Sequence, residues 1–155
     1  MPIKTLYKQL HNECGDVLND SFAGPRATDM ARSHAFIDDL GLWIAEMGSR
    51  SEVPVVQAAL REYQFSLLAL SLGQYRAAFS SLRLTLELSF NAILWSANER
   101  QLRQWKCGQG DSNWSSLVDA SDGILSRSFV RLFSEELADE APQYRVSAVA
   151  VYREC

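Results

Sequence analysis

The dominant pattern in the chain lies between Gln74 and Trp105, where plotting at a helical period leaves apolar or small residues around most of the circumference. Tyr75, Phe79, Leu82, Leu86, Phe90, Ile93 and Ala97 form one stripe, and Ala77, Leu84, Leu88 and Trp95 form a second. Between them Ala78, Ser81, Thr85, Ser89, Ala92 and Ser96 make a lane of small side chains. A helix apolar on nearly all sides is normally interior, and small residues let a neighbouring backbone come close. The expectation is a long central helix enclosed by the others. A single narrow polar arc, Arg76, Ser80, Arg83, Glu87 and Asn91, interrupts it.

The flanking sequence reads as further helices. Ile3, Leu6, Tyr7, Leu10, Cys14, Val17 and Leu18 recur at helical spacing, and this pattern fades between Asn19 and Phe22. After Ala23-Gly24-Pro25, Thr28 is placed to cap a second helix through Met47, with Met30, Phe36, Ile37, Leu40, Trp43, Ile44 and Met47 facing inward. Ser51 and Pro54 open a third, since proline is tolerated in a first turn. Gly73 separates this helix from the central one as the turn of a tight αα-hairpin.

Past the hairpin, Lys106 to Asn113 is a loop, after which Asp111 or Ser112 is placed to cap a short helix carrying Trp114, Leu117 and Val118. Asp122-Gly123 breaks the pattern before a sixth helix from Ile124 to Leu137. Asp139 is placed to cap a last helix with Pro142 in its first turn, although Val146, Val149 and Val151 leave a strand open there. The fold expected is one all-α domain over residues 1–155, a bundle of six or seven helices around a long central helix, with an up-and-down four-helix bundle plus accessory helices as the alternative. The last helix halts at Arg153-Glu154-Cys155 without a closing glycine or cap, which reads as a chain cut short at its C-terminus.

Composition narrows the functional classes. With 47% hydrophobic and 22% charged residues the chain has globular proportions. Its net charge of -4 supplies no global cationic field for nucleic acid, and Arg100, Arg103 and Lys106 suit the C-terminal end of the helix dipole. The longest uncharged run, Tyr63 to Tyr75, is too short to span a bilayer, and the N-terminus lacks the apolar core of a secretory signal. A cytoplasmic protein without a membrane partner is expected. Cys14, Cys107 and Cys155 form no metal pattern, and His11 with Cys14 supplies at most two ligands, so no metal site is expected. The loop KCGQGDSN lacks the spacing of a phosphate loop, so neither a nucleotide nor any other cofactor is expected. His34 and Asp38 lie four apart on a helix, but the sequence sets no nucleophile beside them.

The run LGQYRAAFSSLRLTLELSFNAIL resembles the helix pair of HEPN-like proteins (higher eukaryotes and prokaryotes nucleotide-binding domains), in which a glycine turn leads into a long helix with an LR…E pattern. The matching positions are Gly73, Tyr75, Ala78, Leu82, Arg83 and Glu87. What this resemblance implies is a compact helical domain, often dimeric, of prokaryotic toxin–antitoxin and antiphage systems, in some members a metal-independent ribonuclease. In those members an arginine is followed after four to six residues by a histidine. Arginine stabilises phosphate charge and histidine transfers protons, so cleavage needs no metal. Neither His11 nor His34 follows an arginine at that spacing: Arg26 lies too far from His34 and Arg32 too near. Arg153 stands on the last helix, where the family's arginine is expected, but its histidine would fall beyond Cys155.

The leading expectation is therefore an association module acting as a homodimer or with a protein partner, through a seam of Arg76, Arg83, Glu87 and Asn91. The alternative is a ribonuclease completed beyond Cys155, with RNA as its partner and Arg153 as its catalytic arginine. A third reading, a helical regulator binding a small apolar ligand, draws on Trp43, Trp95, Trp105 and Trp114.

Overall fold

A computed structural model describes residues 2–155, and among them every regular element is helical. The order is α1 (Ile3–Ser21), α2 (Gly24–Met47), α3 (Val53–Ser71), α4 (Tyr75–Ala97), α5 (Glu99–Lys106), α6 (Trp114–Leu117), α7 (Arg127–Arg131), α8 (Glu135–Ala138) and α9 (Ala141–Glu154). The valine-rich C-terminal stretch that left a strand open is thus the helix α9.

The hairpin of α3 and α4 is the most extensively packed pair. Gly73 turns it at φ +74°, its N–H donating to Leu70 O at 3.0 Å and that of Gln74 to Ala69 O at 2.8 Å, the double closure of a left-handed helix end. Ala78, Thr85 and Ala92, spaced every seven residues along the small-residue lane, are buried. Val55, Ala59 and Ser66 are buried on α3, so each helix of the pair puts mainly small residues in its interior. The Thr85 hydroxyl donates to Ser81 O at 2.9 Å, which satisfies the one buried polar side chain of this lane.

At the far end of the hairpin Val55, Ala92, Trp95 and Leu102 form a closed core, with Val56, Leu88 and Leu94 against it. The helix expected to run unbroken to Trp105 is here divided. Asn98 leaves helical geometry at φ -141° and its Oδ1 accepts from Gln101 N at 3.2 Å, capping α5. The break lets α5 fold back, and Lys106 Nζ donates to Ser51 O at 2.8 Å, tying it to the turn between α2 and α3. Tyr63 joins α3 to α2 by donating to Ser33 O at 2.9 Å, while its ring meets Phe36 edge to face.

Several helix starts differ from the expected caps. Pro25 lies in the first turn of α2, which begins at Gly24 and leaves Thr28 inside the helix: a preset φ and a missing N–H make proline an adequate start. Asn113, rather than Asp111 or Ser112, caps α6, because the Asp111 carboxylate is taken by Ser112 N. The sixth helix divides into α7 and α8 because Ser126 and Ser134 each cap a separate turn. Asp139 sits at the end of α8, and α9 begins after Glu140 with Pro142 in its first turn. These divisions give nine helical segments among the described residues where six or seven were expected.

The enclosure expected for the central helix does not hold. Tyr75 is 58% exposed, and Phe79, Leu84 and Ile93 are exposed as well. The small lane admits α3 so closely that one helix is accommodated along it, while the large residues on either side extend past the contact. No residue of α1 or α2 is buried.

Candidate functional site

The polar arc of α4 meets the C-terminal helix. Tyr152, on the inner face of α9, donates its hydroxyl proton to Glu87 Oε1, and the same oxygen lies 3.5 Å from Arg83 Nε. The Arg83 guanidinium carbon sits 4.0 Å from the centroid of the Tyr152 ring. Tyr152 stacks on Trp114 at 3.9 Å and 9°, and Trp114 stacks on Phe90 at 5.2 Å and 22°. A cation and three aromatic rings drawn from α4, α6 and α9 thus form one column. Burial first, and then the Glu87 carboxylate, raises the Tyr152 hydroxyl above the ordinary tyrosine range, with Arg83 opposing them. The Tyr152 hydroxyl in turn raises the pKa of the exposed Arg83 guanidinium, keeping it firmly charged.

Asn91 lies one turn beyond Glu87 and is 5% exposed. Its Nδ2 donates to Glu87 O at 2.8 Å, which fixes the amide orientation and leaves Oδ1 buried without a protein partner among the described residues. It lines a cleft of about 320 Å³ with Trp95, Trp105, Gln101 and Gln104, partitioned by Asp111–Asn113 from the cleft over Arg83 and Tyr152. The four tryptophans suggested as one ligand pocket are dispersed. Trp95 packs on Trp105, Trp114 is inside the column, and Trp43 is 71% exposed on α2.

The residues of the suggested seam are therefore divided. Arg83 and Glu87 come together with Tyr152, Asn91 is buried at the neighbouring cleft, and Arg76 stands exposed near the start of α4. Arg153 is exposed in the last turn of α9, and both His11 and His34 are exposed on other helices. Among the described residues no group of three or more His, Cys, Asp or Glu is placed to hold a metal ion. No helix among them is long and apolar enough to cross a membrane.

Sequence reasoning missed two features. Tyr152 was legible as a residue on a helical face, but nothing in its spacing pointed to Glu87, which is distant in sequence. The second is an apolar groove of about 490 Å³ between α1, α2 and α3, lined chiefly by Leu18, Phe22, Met30, Ile37, Leu67 and Leu68. Its signal in the sequence is Phe22, four positions past Leu18, and α1 runs on to Ser21 just before it.

Further apolar side chains are exposed on the same helices. Ile3, Leu6, Tyr7 and Leu10 on α1, Leu42 and Trp43 on α2, and Phe65 and Leu68 on α3 are all exposed, in addition to the exposed stripe of α4. The chain presents 10523 Å² to solvent. A compact monomer of 17.4 kDa exposes about 7,900 Å². The excess is roughly a third of that value.

Comparison with protein-family models, curated proteins and solved structures finds no match to this chain.

Proposed function

We propose that this chain is a helical association module that covers its exposed apolar faces by pairing with a second copy of itself or with a partner protein. The observation that carries this reading is the surplus of exposed surface. Roughly 2,600 Å² beyond the expectation for a compact monomer is about what one subunit buries in a large obligate interface. Large apolar side chains, among them Ile3, Tyr7, Leu42, Trp43 and Phe65, contribute to the exposed surface, and such groups drive obligate association.

The likeness of the Gly73 hairpin to HEPN-like helix pairs supports the reading, since that family's domains often work as dimers. On the same grounds we place the protein in the cytoplasm, in a prokaryotic toxin–antitoxin or antiphage system. The column of Arg83, Tyr152, Trp114 and Phe90 then has a supporting role. It pins the C-terminal helix to α4 and holds the module together.

Light scattering on the purified chain across a dilution series tests the proposal. A particle of at least twice 17.4 kDa at micromolar concentration is the expected result. A strict monomer throughout, with no partner that binds it stoichiometrically, contradicts it.

A further inference from the structure

The first half of α1 and the groove between α1, α2 and α3 are complementary in a way that a single copy cannot use. Ile3, Leu6, Tyr7 and Leu10 fall at i, i+3, i+4 and i+7, the spacing by which an amphipathic helix anchors in an apolar groove. All four are exposed, Ile3 at 74% and Tyr7 at 65%. The groove is apolar over nearly its whole lining and carries its own exposed rim residues, Phe22 and Leu68.

The stripe cannot enter the groove of its own chain. α1 is one continuous helix from Ile3 to Ser21, and its C-terminal part, through Leu18, already forms one wall. At 1.5 Å per residue Ile3 is held roughly 22 Å along the axis from Leu18. The wall is fixed to α3 by the Ser21 hydroxyl, which donates to Ser71 O at 3.1 Å, and by Val17 against Gly73.

We infer that the first half of α1 docks in the α1–α2–α3 groove of a second copy of this chain, and that the second copy's α1 docks reciprocally in the first. This inference rests on the association reading and names its partner and surface. Two observations favour a second copy over a foreign helix. Stripe and groove occur once each per chain, so a two-fold arrangement satisfies both at once. The surplus of exposed area is of the size that a homodimer interface removes, whereas one foreign helix in the groove would leave the α1 stripe uncovered.

The test uses the full chain. Sedimentation equilibrium of the wild type is compared with Leu6→Asp on the stripe and Leu68→Asp on the groove rim, both exposed positions where a carboxylate leaves the fold intact. Circular dichroism verifies retained helix. Each substitution is expected to raise the dimer dissociation constant by roughly 100-fold, as for a buried interface anchor. Independently, chains with Cys14, Cys107 and Cys155 replaced by serine, one carrying Leu6→Cys and the other Leu68→Cys, are mixed and treated with a flexible bis-maleimide. A cross-linked species containing one chain of each kind is expected. A dimer that survives both aspartate substitutions and yields no mixed cross-link overturns the inference while leaving association through another face intact. A wild type that stays monomeric overturns the inference and the association reading together.

Discussion

Tyr152 and Glu87, 65 positions apart, are joined by a hydrogen bond that closes the C-terminal helix onto the middle of α4. Around it the Arg83 guanidinium and the Trp114 ring cover the two faces of the tyrosine. This is the main side-chain tie between α4 and α9, so its members govern how firmly the last third of the chain is held. Trp114→Ala removes the middle of the column and is expected to cost about 2–4 kcal/mol in denaturant unfolding. Tyr152→Phe keeps the stacking, loses the hydroxyl and leaves a carboxylate short of a donor, for about 1–2 kcal/mol. A Trp114→Ala loss under about 0.5 kcal/mol, the usual scatter for surface substitutions, would show that the column does not hold α9.

Alkaline pH provides a second test. Burial raises Tyr152 and Tyr63, and the Glu140 carboxylate raises Tyr144, relative to the ordinary tyrosine value. A raised folded pKa means that the native chain keeps a proton the unfolded chain has released. The stability contributed is therefore fully present below about pH 10 and is lost as pH climbs through the folded values. The thermal midpoint is expected to be insensitive to these groups at neutral pH and to fall above pH 10, with a shallower fall in Tyr152→Phe. An equally steep fall in that variant would remove Tyr152 from the explanation.

Glycine substitutions are expected to have opposite signs according to position. Gly73 holds φ +74°, and a Cβ there would stand 3.0 Å from Val17 Cγ1, so Gly73→Ala is expected to destabilise by about 1–2 kcal/mol. At Gly123 a Cβ would come within 2.5 Å of the Asp119 backbone, and a loss of about 3 kcal/mol or more is expected. Gly41 lies inside α2 with nothing within 4 Å of its Cβ position, and Gly41→Ala is expected to gain about 0.5–1 kcal/mol. Chemical denaturation of the three variants checks the order.

Asn91 is expected to tolerate loss of its polarity. Its buried Oδ1 has no protein partner among the described residues, and its Nδ2 bonds to a carbonyl of its own helix. Asn91→Leu should be neutral or stabilise by about 1 kcal/mol, because it removes a buried acceptor and keeps the volume. A loss above about 2 kcal/mol by thermal unfolding would mean that the oxygen has a partner of real strength.

Much of the architecture was legible because it follows from local rules. Gly73 between two periodic helices gave the hairpin, and the lane of Ala78, Thr85 and Ala92 correctly marked where a neighbouring helix approaches. Enclosure was not legible. The periodicity of Tyr75, Phe79 and Ile93 records that a surface is apolar, and says nothing of whether the same chain or another molecule covers it. The helix count failed at Asn98 and Ser134, residues whose side chains close one helix start and so divide a pattern that hydrophobicity alone runs together. Of the seam, the Arg83 and Glu87 pairing was readable from four-residue spacing, whereas the attachment of Tyr152 depends on a tertiary path that spacing does not encode.

The central claim, that another molecule covers the exposed apolar helices, is tested most directly by amide hydrogen exchange on the full chain at high and at low concentration. With no residue buried in its own chain, α1 has little internal packing to protect it, while the α3–α4 hairpin is protected in either state. Association predicts exchange across Ile3 to Leu10 at least about tenfold slower in the concentrated sample. Fast exchange across α1 at both concentrations, from particles of 17.4 kDa, would contradict the account.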